Sequence, residues 1–321
     1  MSNSSNCPVF RASTAGELVR LLPHFFGFPP KDSVILLTMT GTRINAAARI
    51  DASVVLGSDP KTLRASLVAV GSPDIVIGWT GDERSAERAA NLVTRAVGGA
   101  SHRIIVSGER CRLDDGQWVD LPPELTGEGW VADRAALAAQ VAGPGAGASI
   151  KQWRAARHRA GQMELDDGCD RAAALLAAGL ASTVSLADKL ELAALVSQGA
   201  VRDSLWAMLT PHNAQDHVRF WKDVVQVVPD AGAPAVLGML GMAAWVSGFG
   251  ALQMCCLERG LALQPKHSLL RLVEAINLAG VPPRAWGDIQ ASLQGQDPSP
   301  DFRMAAHPLT GRVKVLPNTP R

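Results

Sequence analysis

Residues 74–107 read DIVIGWTGDERSAERAANLVTRAVGGASHRIIVS. Two apolar, β-rich runs, Asp74 to Thr80 and Arg103 to Ser107, flank a segment with helical spacing. There Ala86, Ala89, Ala90, Val93 and Val97 share one face. Strand, helix and strand of these lengths imply a right-handed crossover between parallel strands. Asp82 stands where the helix needs an N-cap.

Upstream of this unit, Thr14-Ala-Gly-Glu17 has the spacing of a capping box. Leu18, Leu21, Leu22 and Phe25 follow on one helical face, and Gly27 with Pro29-Pro30 stops the helix. Val34 to Met39 and Ile44 to Asp51 read as a β-hairpin around Thr40–Arg43. Asp59-Pro60 opens a helix carrying Leu63, Leu67 and Val70 and ending near Gly71. Downstream, Asp114-Asp-Gly116 reads as a turn into a short strand, Gln117 to Leu121.

Residues 142–148, AGPGAGA, read as a linker, and residues 150–293 carry helical periodicity only. Within them, AWVSGFGALQMCCLERGLALQP, Ala244 to Pro265, has the layout of a tetratricopeptide-like helical hairpin, with Trp245, Leu257 and Leu261 as core. One such unit is present where an array needs about three, so a bundle using one hairpin fits as well as a repeat domain. The expected architecture is α/β plus all-α. A mixed, mostly parallel sheet with flanking helices spans 7–143, a helical domain spans 150–293, and a disordered tail covers 294–321.

Of the 321 residues, 47% are apolar and 19% charged, enough for packed cores and unlike a disordered chain. The net charge of +1 sets up no global field for nucleic acid or an anionic membrane. The basic run KQWRAARHR, Lys151 to Arg159, reads as a solvated helix face in such a chain. The opening MSNSSNCPVFRAS has no basic region followed by an apolar one, so a secretory signal is not expected. The apolar stretch from Ala233 to Leu257 is glycine-interrupted and fits buried helices better than a membrane span. Five scattered cysteines without a Cys-x-x-Cys pair fit neither a disulfide scaffold nor zinc, and a cytoplasmic location is expected.

Motifs for chemistry are sparse. The glycine run follows a helix, so it is not a dinucleotide fingerprint, and no phosphate-loop, nucleophile-elbow or zincin pattern occurs. His212 and His217, five residues apart, fall on different helix faces, and no metal site is expected. The one chemically suggestive address is the carboxyl end of the parallel strands, where open α/β sheets bind ligands. There stand Thr80, Gly81 and Asp82, then Ser107, Gly108 and Glu109, with Arg49 and Asp51 ending the hairpin strand. Helix caps and turns use the same residue types. No cofactor and no catalytic residue can be named.

Four blocks resemble an actinobacterial family of unknown function, number 4192 in its series. They are LVRLLPHFFGFPPKDSVILL (18–37), AARID (47–51), VRDSL (201–205) and AWVSGFGALQMCCLERGLALQPKHSLLRLVEAINLAGVPPRAW (244–286). Members often carry a Cys-Cys-Pro-Pro stretch after the strands. Here ERCRLDDGQWVDLPPELTGEG (109–129) keeps Cys111, Trp118 and Pro122-Pro123 but lacks the cysteine pair. The resemblance implies a fold and a bacterial origin, and no activity. Two functions follow as expectations. The first is a non-catalytic binding or regulatory module whose helical half engages a protein partner. The second is an α/β protein, an enzyme in one version, holding a small molecule or nucleotide at the strand ends. Oligomeric state is not readable.

Overall fold

Thr14 caps the first helix as its spacing predicts: its hydroxyl accepts from Glu17 N–H, and the Glu17 carboxylate accepts from Thr14 N–H. That helix, α1 (Ala15–Phe26), ends at Gly27 in the left-handed conformation. The computed structural model describes residues 11–68, 72–123, 130–143 and 150–293. Cys7, Val70, Gly71, most of the glycine-rich linker and the 294–321 tail lie outside these residues.

The hairpin is β1 (Ser33–Thr40) and β2 (Arg43–Asp51), followed by α2 (Ala52–Gly57) and α3 (Pro60–Leu67). The central unit is β3 (Ile75–Thr80), α4 (Glu83–Ala96) and β4 (His102–Ser107), and it is joined in parallel as expected. Gly78 permits its close packing, since a β-carbon there would stand 2.2 Å from the Ala86 carbonyl oxygen on α4.

One expectation is corrected. The six strands run in the order β2-β1-β3-β4-β5-β6, with β5 at Arg110–Leu113 and β6 at Val119–Asp120. Only β3 and β4 pair in parallel, and every other neighbour is antiparallel. The sheet is mixed and mostly antiparallel. The physical reason is local: Gly108 (φ +57°) and Glu109 form a two-residue turn, so β4 returns as a hairpin instead of feeding a second crossover helix.

The sheet is covered on both faces. Val34, Leu36, Val76 and Ile105 meet α2, α3 and α4 on one side. Ile35, Leu37, Ile77, Trp79, Ile104 and Val106 face the other side, and they belong to a hydrophobic cluster that continues through α1 into the helical half. After α5 (Arg134–Ala139), that half runs α6 (Ile150–Ala160), α7 (Leu165–Ala181), α8 (Leu186–Val196), α9 (Gly199–Ser204), α10 (Ala214–Val225), α11 (Ala233–Val246), α12 (Gly250–Leu263), α13 (Ser268–Leu278) and α14 (Trp286–Leu293).

All fourteen residues of α11 are buried. It is the axis around which α8, α10, α12 and α13 pack. This explains the apolar stretch without a membrane, and no described helix is long and apolar enough to cross one. The α11–α12 hairpin forms where its sequence predicts, with Trp245 and Leu257 buried and Leu261 half-buried. In α6, Trp153, Ala156 and Ala160 pack inward while Lys151, Arg154, Arg157, His158 and Arg159 stay exposed.

Candidate functional site

The strand register gathers several sequence-nominated residues at one end of the sheet. Asp51 opposes Ser33, Ser33 opposes Trp79, and Thr80 opposes Ser107. Most of their side chains are already engaged within the fold. Thr80, buried, donates its hydroxyl to the Asp82 carbonyl at 2.6 Å. Asp82 accepts from Ser85 N–H at 2.9 Å as the cap of α4, and that bond holds its carboxyl below the usual range. Glu109 pairs with Arg20 of α1 at 2.5 Å, and Arg20 also donates to the Pro122 carbonyl. Arg49 pairs with Asp51 at 2.6 Å and lies over the Phe28 ring at 5.4 Å. Gly81 and Gly108 are turn residues with open space around them.

Distance separates these groups further. β2 lies three strands from β4 in the sheet order, about 14 Å at normal strand spacing. Arg49 and Asp51 therefore do not converge with Ser107 and Glu109. Ligand crevices of open sheets form where crossovers diverge from neighbouring parallel strands. A sheet with one parallel pair has no such divergence.

A different cleft opens in the helical half, with a volume of about 300 Å³. Its wall is the last turn of α7 and the loop through Ser182, Thr183 and Val184, faced by Lys189 of α8 and by Asp216, Arg219, Phe220 and Asp223 of α10. The Phe220 ring seats directly on Gly179, where a β-carbon would lie 2.1 Å from the ring. Lys189 and Asp223 stand 3.9 Å apart, and Arg219 pairs with Asp216. The cleft thus offers cations, carboxylates, hydroxyls and the free carbonyl end of a helix. None of these residues was singled out from sequence. The available signal was Gly179 inside AALLAAGLAS, because a glycine among helical alanines costs about 1 kcal/mol and marks a close approach. A second depression, about 400 Å³, is bounded by Arg84, Glu87, Arg88, Asn91, Leu92 and Arg95, all on α4. With one helix as its wall it cannot enclose a ligand.

The remaining buried polar groups tie elements together. Arg202 of α9 pairs with Asp203 at 2.7 Å and donates to Ser268 at the start of α13. His217 contacts the Met208 carbonyl at 3.2 Å, and burial lowers its pKa. Cys111, Cys255 and Cys256 are buried, and burial raises all three thiols, the opposite of nucleophilic activation. Among the described residues, no cluster of His, Cys, Asp or Glu is placed to hold a metal.

A family described as a domain of unknown function (DUF4192) matches residues 16–156 and again 125–284. The chain belongs to this family. The two matched spans together run from α1 through α13 and stop just before α14. They include the hairpin with AARID, the VRDSL segment that supplies Arg202, and the α11–α12 hairpin with its Gly-Val-Pro-Pro ending. No curated protein and no solved structure matches the chain. In this member Cys111 is buried against α1 and Trp118 lies under Arg110 and Arg112, so the described part of the stretch that lacks the cysteine pair, residues 109–123, is held by packing and ion pairs.

Proposed function

We propose that this DUF4192 chain is a non-catalytic binding or regulatory module that engages a protein partner through its helical half, in the cytoplasm. The observation that carries the reading is the cleft between α7, α8 and α10. It is walled by three helices, backed by Phe220 and rimmed by donors and acceptors of both charges. A lining of paired charges of both signs and hydroxyls suits a polypeptide segment better than a single small anion. A tetratricopeptide-like role for the α11–α12 hairpin finds less support, because α11 is buried all round and presents no groove face.

The competing reading, a small ligand at the sheet end, has one observation in its favour: Arg49 Nε is buried with no hydrogen-bond partner. Affinity purification with the intact chain and with an Asp223→Arg chain separates the two. The proposal expects a protein partner recovered by the first and lost with the second, at equal melting temperature. A screen of nucleotides and metabolites by thermal shift gives the opposite arm. Binding at a hundredfold excess over Kd stabilises by about 2.7 kcal/mol. Such a shift, abolished by Asp82→Ala or Glu109→Ala, with no partner recovered, sinks the proposal.

A further inference from the structure

β2 is one edge of the sheet, and among the described residues no strand pairs with its outer side. Ala52 donates its N–H to the Asp32 carbonyl at 2.8 Å, one step beyond the Ser33–Asp51 pair. Antiparallel ladder bonds join opposed residues and alternate between the two sides of a strand. Ile50, Ala48 and Ala46 therefore bond inward to β1, while Ala47, Arg49 and Asp51 turn their N–H and C=O groups outward. Natural edges are guarded by lysine, proline or a bulge. No lysine or proline falls between Ala46 and Asp51, the two charged residues there, Arg49 and Asp51, neutralise each other, and the one register irregularity is a bulge at Asn45, which bounds that stretch.

We infer that this edge is a self-recognition surface, pairing antiparallel with the same edge of a second copy about a dyad at Ala48. Three features of β2 set that register. Ala47 then opposes Arg49 of the second copy, so the outward backbone groups exchange hydrogen bonds on both sides of the dyad. Ala48 meets Ala48, and Ala46 meets Ile50, on the sheet face where Ala48 and Ile50 already border the apolar core. Asp51 comes beside the bulge at Asn45, whose side-chain oxygen accepts from Arg284, so a carboxylate lies next to a guanidinium at each end of the paired stretch. A dyad one residue further, at Arg49, would set two guanidinium groups opposite each other, which is destabilising. The contact is isologous and closes at two copies.

Ala48→Cys tests the register directly. Opposed residues in a non-hydrogen-bonded antiparallel pair have Cα atoms about 4.5 Å apart, within disulfide reach. Under oxidised glutathione, Ala48→Cys is expected to give a covalent dimer that thiol reverses. Ala46→Cys is expected to give none, because its counterpart sits about 14 Å away along the paired strands. Ala47→Pro removes an outward N–H and leaves the β1 ladder intact, so it is expected to move the sedimenting species from dimer to monomer. Wild-type chain that sediments as a monomer throughout a dilution series, with Ala48→Cys coupling no faster than Ala46→Cys, overturns the inference. So does a chain ending at Leu293 that dimerises when the full chain does not, since residues 294–321 would then be the native occupant of the edge.

Discussion

The sheet region and the helical region spend their polar residues differently. In residues 15–143 the polar groups at the strand ends close on one another: Asp82 caps α4, Thr80 ties the turn before it, Glu109 holds Arg20 and Arg49 holds Asp51. In residues 150–293 the apolar axis α11 consumes the hydrophobic side chains, and polar groups at the bundle rim are left around an open cleft. Polar residues at a strand end indicate a site only when turn and cap geometry leaves them unemployed. In the cleft the ion pairs Lys189–Asp223 and Arg219–Asp216 stand around open space, whereas at the strand ends the pairs close the turns themselves.

The largest expected effect falls on what the regions share. Leu257 is buried in the cluster that runs from α12 to the sheet face carrying Ile104 and Val106. Leu257→Ala is expected to cost about 2–5 kcal/mol in denaturant unfolding, with one transition followed equally by near-ultraviolet signal and by amide exchange in β4. A second transition confined to residues 150–293 would show that the regions unfold independently. Gly78→Ala acts on the sheet alone, because its β-carbon collides with the Ala86 backbone. A cost of about 1–3 kcal/mol is expected, with cleft residues unshifted in an amide spectrum.

Acid sharpens the contrast from the other side. Burial lowers the pKa of His217 and His267 in the helical region, and of His24 in α1. The unfolded chain therefore takes up protons first. Stability is complete above about pH 6.5 and falls as pH drops below it, by up to about 1.4 kcal/mol per pH unit for each such group. His217→Gln is expected to flatten the slope of unfolding free energy between pH 6.5 and 5. An unchanged slope would remove His217 from the account. The smallest effect is expected of Asp82→Ala, which loses an exposed cap and should lower the melting temperature slightly without altering any binding.

Local rules made much of this fold legible. The capping box at Thr14, the hairpin over residues 34–51, the central crossover and the α11–α12 hairpin each follow from short-range spacing. Strand direction beyond the crossover was not legible, because it hung on one tight turn at Gly108-Glu109 inside a run with no alternating pattern. The six residues of α2 escaped for a similar reason: they are too few to show a period. The cleft was illegible because Ser182, Lys189, Asp216 and Asp223 come from a loop and two helices, and only packing brings them together.

The difference between the two regions is tested most directly by a photo-cross-linking side chain placed at Thr183, in the cleft, and separately at Glu109, at the sheet end, in the native cell. A discrete adduct with a protein partner from Thr183, lost when Asp223→Arg is added, and none from Glu109, is the result the account predicts. An adduct from Glu109 with none from Thr183 would contradict it, and would return the function to the strand ends.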